Sequence, residues 1–600
     1  MEQLKHECGV ALIKLRKPIS YYKEKYGSEK YALNRMFLLM EKQHNRGQEG
    51  AGMACVNMSA NAGEEFMFRE RLEGDKAISE LFSTIYTQID KNTDPVETPF
   101  IGECYMGHLR YSTTGKSGIS YVHPVLRRNN YRENTLSLCG NFNLTNVENI
   151  FQHLAAQGQH PRRMSDTTIL LEQMGHELDV ENFDRANVGN GKNIENILRK
   201  NAPMWDGGFV MCGLTGSGDM FAVRDSWGIR SAFYYIDEEI VVVASERPVI
   251  QTAMHVKCED ITELEPGQAI VIGRNGDIFF PQVVDKKEDK WACSFERIYF
   301  SRGSDIDIYK ERKHLGEKLA DKVSAAIGGD LLNSVFSFIP NTAEIASIGL
   351  VEGMNGLLDK QKCEDISKLT AYDAKVIEEI ISHRIRVEKV AIKDIKLRTF
   401  ISENEERNKL ANHVYDITYG TVVKGVDNLV VIDDSIVRGT TLRKSIISIL
   451  MRLEPKKLVI VSSAPQIRYP DFYGIDMSDI GDLIAFKAAV ELSGEEKLHE
   501  IYALCKAQQG SEATDTENHV AKLYAPYTDE QISAKIAELV TPKNTKAPVE
   551  IIYQDIPSLR EVCPNHKGEW YFSGFYPTLG GRELLNKSFI NFYERRFCVK

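Results

Sequence analysis

The stretch CGVALIKL, Cys8 to Leu15, sets a thiol and a glycine directly ahead of an apolar run, with the seven residues Met1–Glu7 in front. A thiol so placed has two readings. It is a small buried residue at the start of a strand, or it is a nucleophile waiting for a short leader, 1–7, to be removed. Only a thiolate attacks, and an ordinary thiol is mostly protonated at neutral pH. The second reading therefore requires a nearby base.

A second constellation lies far along the chain. Residues 429–441 read LVVIDDSIVRGTT. An apolar strand ends in two acids, a loop carries Ser435, Arg438, Gly439, Thr440 and Thr441, and a helix follows. Free N–H groups and the positive dipole end at such a helix start favour a phosphate. Gly439 lets the backbone approach closely, and the hydroxyls add donors. Asp433 and Asp434 would repel that phosphate. They make sense as acceptors for ribose hydroxyls, directly or through a magnesium ion. No G-x-x-x-x-G-K-[ST] string is present, so this is not a Walker loop.

The elements that must position these groups fall into two styles. Up to about residue 280, CGVALI, AGMACV, EEFMFRE, LSLCGNF, GGFVMCGL, DMFAVRD, EIVVVAS and QAIVIG read as strands. SDTTILLEQMGHEL reads as a helix capped by Ser165 or Asp166. Many strands with interspersed helices indicate an α+β layered domain. The charged run Asp285–Lys290 reads as a linker. Beyond it come the strand SVFSFI, a helix-rich region, the strand NLVVIDDS, the helix TTLRKSIISILMRL and the strand KKLVIVSSA. Leu442, Ile446, Ile449, Leu450 and Leu453 share one face of that helix. This is a βαβ unit of a parallel sheet. The last 75 or so residues read as helices and loops.

The chain has 600 residues, a net charge of −11 and 26% charged residues. That size allows two to four domains, and the mixed charge argues against a nucleic-acid surface. No run reaches the roughly 18 apolar residues that span a bilayer, and the charged start lacks a secretion signal. Eleven scattered cysteines fit a reducing cytoplasm.

The string VVIDDSIVRGTT resembles the phosphoribosyl-pyrophosphate (PRPP) loop of type I phosphoribosyltransferases, and is most similar to the glutamine-dependent amidophosphoribosyltransferase family. LRTFIS (397–402), YPDFYGIDM (469–477), DLIAF (482–486) and SGFYPT (573–578) resemble that family in the same order. In its members the mature chain begins with CG after a propeptide is removed. The freed α-amine, titrating near pH 8, serves as base for its own thiol.

The same resemblance assigns the first half. QHNRGQEGAG resembles the family's QHRGQEAAG with one extra residue, and implies that Arg46 holds Cys8 and the bound glutamine. GHLRYSTTG resembles GHVRYSTAG, so Arg110 would pair with the glutamine α-carboxylate and Thr113 would support it. SDTT resembles SDTE, so Asp166 would take the α-ammonium. CGNFNLTN corresponds to HNGNLTN. Asn141 and the N–H of Phe142 would then stabilise the oxyanion. The family has glycine where this chain has Phe142, and phenylalanine resists positive φ.

Two further departures stand out. The family's closing stretch KNRYVGRTFI reads VAIKDIKLRTFI here, matching from Arg398 onward and leaving Lys393 or Lys396 to supply charge. A helical insertion, 352–390, precedes it. At the iron–sulfur positions of some members stand Cys293, Asp471 and Tyr571, so no cluster is expected. CPNH (Cys563, His566) is half of a zinc spacing with no second pair.

The resemblance implies an α+β Ntn-hydrolase glutaminase domain with four αββα layers over 8–284. An α/β type I phosphoribosyltransferase domain would follow over 293–525, with a helical extension over 526–600. It implies glutamine and PRPP as substrates, Mg2+ on Asp433 and Asp434, and a cytoplasmic homo-oligomer touching neither nucleic acid nor membrane. Two other readings stand beside it: a glutaminase feeding another acceptor, and a non-catalytic PRPP or nucleotide sensor.

Overall fold

The fold is described from a computed structural model covering residues 8–92, 98–111, 118–183, 190–340, 342–393, 415–440, 442–509, 516–543 and 545–598. Its first part is built from β1 (Gly9–Leu15), β2 (Gly50–Val56), β3 (Met67–Glu73), β4 (Cys104–Arg110), β5 (Val125–Arg127), β6 (Leu136–Leu144), β7 (Gly207–Thr215), β8 (Met220–Arg224), β9 (Phe233–Ile236), β10 (Ile240–Ala244), β11 (Thr262–Glu263), β12 (Ala269–Ile272) and β13 (Ile278–Phe279). These form two antiparallel sheets, β11-β9-β10-β1-β4-β2-β3 and β13-β12-β8-β7-β6-β5.

Helices cover both outer faces. In chain order they are α1 (Ile19–Tyr26), α2 (Tyr31–Lys42), α3 (Ala77–Lys91), α4 (Val147–Ala156), α5 (Asp166–Glu181), α6 (Lys192–Asn201) and α7 (Arg247–Met254). Strand β1 shows why its sequence is apolar without alternation. Val10 and Leu12 face the second sheet and pack with Val210, Cys212 and Leu214. Ala11, Ile13 and Leu15 face outward, onto Leu33 and Met36 of α2 and Leu81 of α3. Both faces of the strand are dry. Leu138 and Met211 of the second sheet meet Ile169 and Met174 of α5 and Ile197 of α6. The expected four layers are present.

The second part holds a parallel sheet, in the order β15-β14-β18-β19-β20. Its strands are β14 (Ser334–Phe338), β15 (Arg386–Val387), β18 (Asn428–Asp433), β19 (Lys457–Ser462) and β20 (Val549–Tyr553), and β16 (Ala391–Lys393) pairs apart from it with β17 (Tyr415–Ile417). Among the described residues of this part, α8 (Ile306–Glu317), α9 (Ala320–Ala326), α10 (Glu344–Ser367) and α11 (Ala374–Ser382) precede β18. Val430, Ile432, Val459 and Val461 pack on the α9–α10 side, and Leu429, Val431, Leu458 and Ile460 on the other. This double burial is the mark of a parallel sheet.

Three expectations change. The boundary at 525 does not hold, because β20 pairs with β19 from Leu458↔Val549 to Ser462↔Tyr553. The run VEIIY is too short to announce itself after the polar stretch before it. The insertion at 352 starts inside α10. That helix crosses α8 where Gly316 and Gly349 let the backbones meet: an added Cβ would lie 1.8 Å from Ala346 O and 1.7 Å from Lys313 O respectively. The helix expected after Thr441 is π over Leu442–Ile446, α over Ile447–Leu450 and 3-10 over Met451–Leu453. Its five apolar residues are buried as expected.

Candidate active site

Cys8 lies just before β1, half-buried, its Sγ accepting from Tyr111 N at 3.5 Å and lying 3.7 Å from Tyr111 O. Burial pushes its thiol up to about 11. The charge of Arg110 pulls it down, and those of Asp166 and Glu49 push it up, so all three act on this sulfur. Arg110 ends β4, buried, its guanidinium 5.6 Å from the ring centre of Tyr121. Asp166 opens α5 behind the cap Ser165, whose Oγ accepts from Thr168 N at 3.4 Å. Thr167 N donates to Asp166 Oδ1 at 3.0 Å. One cation and one anion are thus within electrostatic reach of one thiol. Thr113, Thr441, Lys396, Arg398 and the leader 1–7 lie outside the described residues.

Arg46 lies beside the residue after Cys8, since a Cβ on Gly9 would be 3.6 Å from Arg46 Cβ, and its guanidinium also has partners the sequence did not suggest. Its Nε donates to Glu246 Oε1 at 2.6 Å, its Nη2 to Glu296 Oε2 at 2.6 Å and to Ser301 Oγ at 3.2 Å. The side chain is fully buried and joins the first part of the chain to the stretch that leads into the second. The extra residue Asn45 takes part, donating to Glu246 Oε1 at 2.9 Å and Phe300 O at 3.0 Å. The sequence holds no local signal for this, since Glu296 lies 250 residues away.

The two residues expected to form the oxyanion hole sit in β6. Asn141 is buried, and Phe142 is in extended strand, outside the left-handed region. Alternation along a strand points the N–H groups of residues 140 and 142 to the same edge. Strand β5 pairs with β6 only from Leu136 to Leu138. Beyond Leu138 no strand among the described residues pairs with that edge, and Phe142 presents its N–H there without any positive φ.

At the other site, β18 ends at Asp433 and the chain turns through Asp434, Ser435 and Arg438 to Gly439, whose φ is +69°. A Cβ there would lie 2.9 Å from Val540. Burial holds the Asp434 carboxyl up at about 6, against the pull of Ser435, Arg312 and Thr342. Ser435 Oγ donates to Asp434 Oδ1 at 2.9 Å, and Asp434 N to Asp433 Oδ1 at 2.9 Å. Thr342 belongs to the loop after β14, which no motif had singled out. It reaches the site because β14 and β18 are parallel neighbours and end together. Carboxyl ends of parallel strands are where ligands bind. Arg438 donates through Nη2 to Asp476 O at 3.1 Å, with Nε 3.5 Å from Asp482. Thr440 begins the helical segment.

The stretch 469–477 links the two sites. Asn143 of β6 donates through Nδ2 to Phe472 O at 2.6 Å, and buried Arg230 donates to Tyr473 O. Three residues on, Asp476 meets Arg438.

No family model matches the chain. Curated relatives do. The amidophosphoribosyltransferase of Pasteurella multocida is 27% identical over 469 residues, 76% of this chain and 82% of that protein. That of Bacillus subtilis is 27% identical over 495 residues, 81% and 85%, and that of Escherichia coli 28% over 459 residues, 75% and 79%. The chain is a relative of the amidophosphoribosyltransferases. The solved glutamine PRPP amidotransferase of Bacillus subtilis, complexed with ADP and GMP, shares its fold: TM-score 0.63 at 23% identity, covering 95% of this chain and 97% of that one.

Two departures from the amidophosphoribosyltransferase pattern now have a physical form. Where the family motif reads His-Asn-Gly, this chain reads Gly140-Asn141-Phe142. A Cβ on Gly140 would lie 2.3 Å from the Phe142 ring. The aromatic ring has moved two positions along one strand face, and glycine makes room for it. At the cluster positions, Tyr571 Oη accepts from Phe295 N at 2.8 Å and bonds Ser294 Oγ at 2.7 Å, 3.5 Å from Cys293 Sγ. Asp471 accepts from Tyr473 N, Ile475 N and Trp570 Nε1 at 2.7–2.9 Å.

Proposed function

We propose that the chain makes 5-phosphoribosylamine from PRPP and glutamine. The observation that supports this reading is that Arg110 and Asp166 both act electrostatically on Cys8 in a chain that also bears the PRPP-like loop. The Cys8 thiolate attacks the glutamine side-chain amide. The tetrahedral oxyanion is held by Asn141 and Phe142 N–H, and its collapse leaves a thioester and ammonia. Water then releases glutamate. The ammonia attacks C1 of PRPP and displaces pyrophosphate. The raised thiol supports a requirement for the freed α-amine of Cys8, hence for removal of 1–7.

Ammonia is largely protonated in neutral water, and ammonium has no lone pair to attack with. Direct transfer between the sites avoids that loss. The bonds through 469–477 support such a passage, since they hold the oxyanion strand against the PRPP loop.

The donor set of Asp433 and Asp434 is all oxygen, which suits magnesium. Held there, the ion would neutralise charge developing on the departing pyrophosphate. An iron–sulfur cluster does not fit the junction. A cluster needs about four thiolates, whereas Tyr571 and Asp471 are committed to hydrogen bonds there. Among the described residues no helix is long and apolar enough to cross a membrane. We read the chain as a cytoplasmic homo-oligomer, and light scattering tests the second part.

Release of pyrophosphate from PRPP with glutamine, with and without magnesium, tests the proposal. Cys8→Ala should abolish the glutamine-dependent rate and leave the rate with high ammonia. Asp433→Asn should lower both. An undiminished glutamine rate in Cys8→Ala would overturn the assignment of the nucleophile.

A further inference from the structure

Two histidines that no motif assigned bracket Gly140 beside the oxyanion pair. His108 lies on β4, in the opposite sheet, and its Nε2 is 3.1 Å from Gly140 O. His123 lies just before β5, and its Nδ1 accepts from Gly140 N at 3.3 Å. The two rings are 4.4 Å apart, and His123 stacks on Phe142 at 5.6 Å. Both are nine-tenths buried or more.

The partners determine the tautomers. A carbonyl only accepts, so His108 carries its proton on Nε2. An amide N–H only donates, so His123 Nδ1 is bare and its proton sits on Nε2. That proton is donated to Thr167 Oγ1, 2.9 Å away. Burial and the nearby charge of Arg110 hold His123 at about 3, so the ring stays neutral in use.

The position explains the need. Beyond Leu138 the edge of β6 has lost β5 as a ladder partner. The backbone groups of Gly140 would otherwise be buried with nothing to bond. The imidazoles replace the missing strand at this residue and stop short of the next N–H on that edge, that of Phe142. Through Thr167, His123 also ties the strand to the N-terminus of α5, where Asp166 stands.

We propose that His108 and His123 are positioning residues for glutamine hydrolysis, clamping Gly140 so that Asn141 and the Phe142 N–H face the oxyanion and Asp166 faces the α-ammonium. The inference rests on the glutaminase reading above. It assigns two different duties to the two nitrogens of His123, which isosteric variants separate.

The test is glutamine hydrolysis by the full chain, with ammonia-dependent PRPP turnover as the control for folding. His123→Gln keeps an ε donor for Thr167 and loses the δ acceptor. Its kcat should fall on the order of tenfold or more with little change in KM, because the oxyanion forms only in the transition state. His123→Asn keeps the δ acceptor and releases Thr167. Its KM for glutamine should rise several-fold, with kcat within about threefold of the parent. His108→Gln keeps the donor to Gly140 O and should stay within about threefold, whereas His108→Leu should lose on the order of tenfold in kcat. Equal effects of the Gln and Leu variants at 108, or of the Gln and Asn variants at 123, would overturn the proposal.

Labelling of Cys8 by a chloroketone analogue of glutamine, followed by mass, separates this inference from the reading beneath it. The analogue also forms a tetrahedral oxyanion. A parent chain that labels without hydrolysing glutamine overturns the glutaminase reading, while the order of labelling rates among the variants still judges the clamp. A parent chain that does not label overturns both.

Discussion

Arg46 and Glu296 face each other across the junction of the two halves, with Nη2 2.6 Å from Oε2 and both side chains all but sealed from water. Glu246 completes the group from the other side, 2.6 Å from Nε. Removing Arg46 leaves two buried carboxylates without the guanidinium that bonds both. Breaking a buried pair in this way costs about 3–5 kcal/mol, more than the pair itself contributes. Arg46→Met should therefore lower the unfolding midpoint sharply. Adding Glu246→Gln and Glu296→Gln should recover most of the loss. A midpoint for Arg46→Met within a degree of the parent would show that the ion group does not hold the junction.

Cys8 titrates at about 11 in the environment described, two pH units above a thiol at 9.0. At pH 7.5 its thiolate is then about a hundredfold scarcer than in such a free thiol. An uncut chain should react with iodoacetamide correspondingly slowly, the rate rising about tenfold per pH unit up to the pKa. Removal of 1–7 should accelerate labelling at neutral pH. Fast labelling of Cys8 in a chain shown by mass to retain its leader would remove the need for processing.

Gly140 and Phe142 exclude each other's alternatives. An added methyl at 140 would meet the ring at 2.3 Å and Val210 O at 2.8 Å. Overpacking of this kind costs about 1–3 kcal/mol. Gly140→Ala should lose that much in denaturant unfolding, and Phe142→Gly in the same chain should return part of it, the clash with Val210 remaining. Additive losses in the double variant would show that the ring is not what fills the space over Gly140.

His123 is held at about 3 and His108 well below 6.5, each by burial first. The unfolded chain protonates them near 6.5. Between those values the unfolded state binds more protons than the folded one, so stability is complete above pH 6.5 and is lost as pH falls towards 3. For His123 the full loss is of the order of a few kcal/mol. In His123→Gln the fall of unfolding free energy with acidification should be shallower over this range. An unchanged slope would show that the ring already protonates in the folded chain.

Much of the chemistry is legible in local runs of sequence. A thiol ahead of a strand, an acid at a capped helix start and a phosphate loop after a strand are features of neighbouring residues, and short-range backbone physics produces them wherever they occur. Cys8, Ser165, Asp166 and Gly439 all stand in the local settings their neighbours foretell. What tertiary structure alone decided is which distant groups share a dielectric. Arg46 found Glu296, His108 and His123 found the backbone of Gly140, and Thr342 found Asp434, across separations from 17 to 250 residues. β4, which carries both Arg110 and His108, and β20, far beyond the other strands of its sheet, became strands through their partners. Burial gives those meetings their strength, because a charge or an amide out of water must be answered by whatever the fold brings to it, and no periodicity in the chain records what that will be.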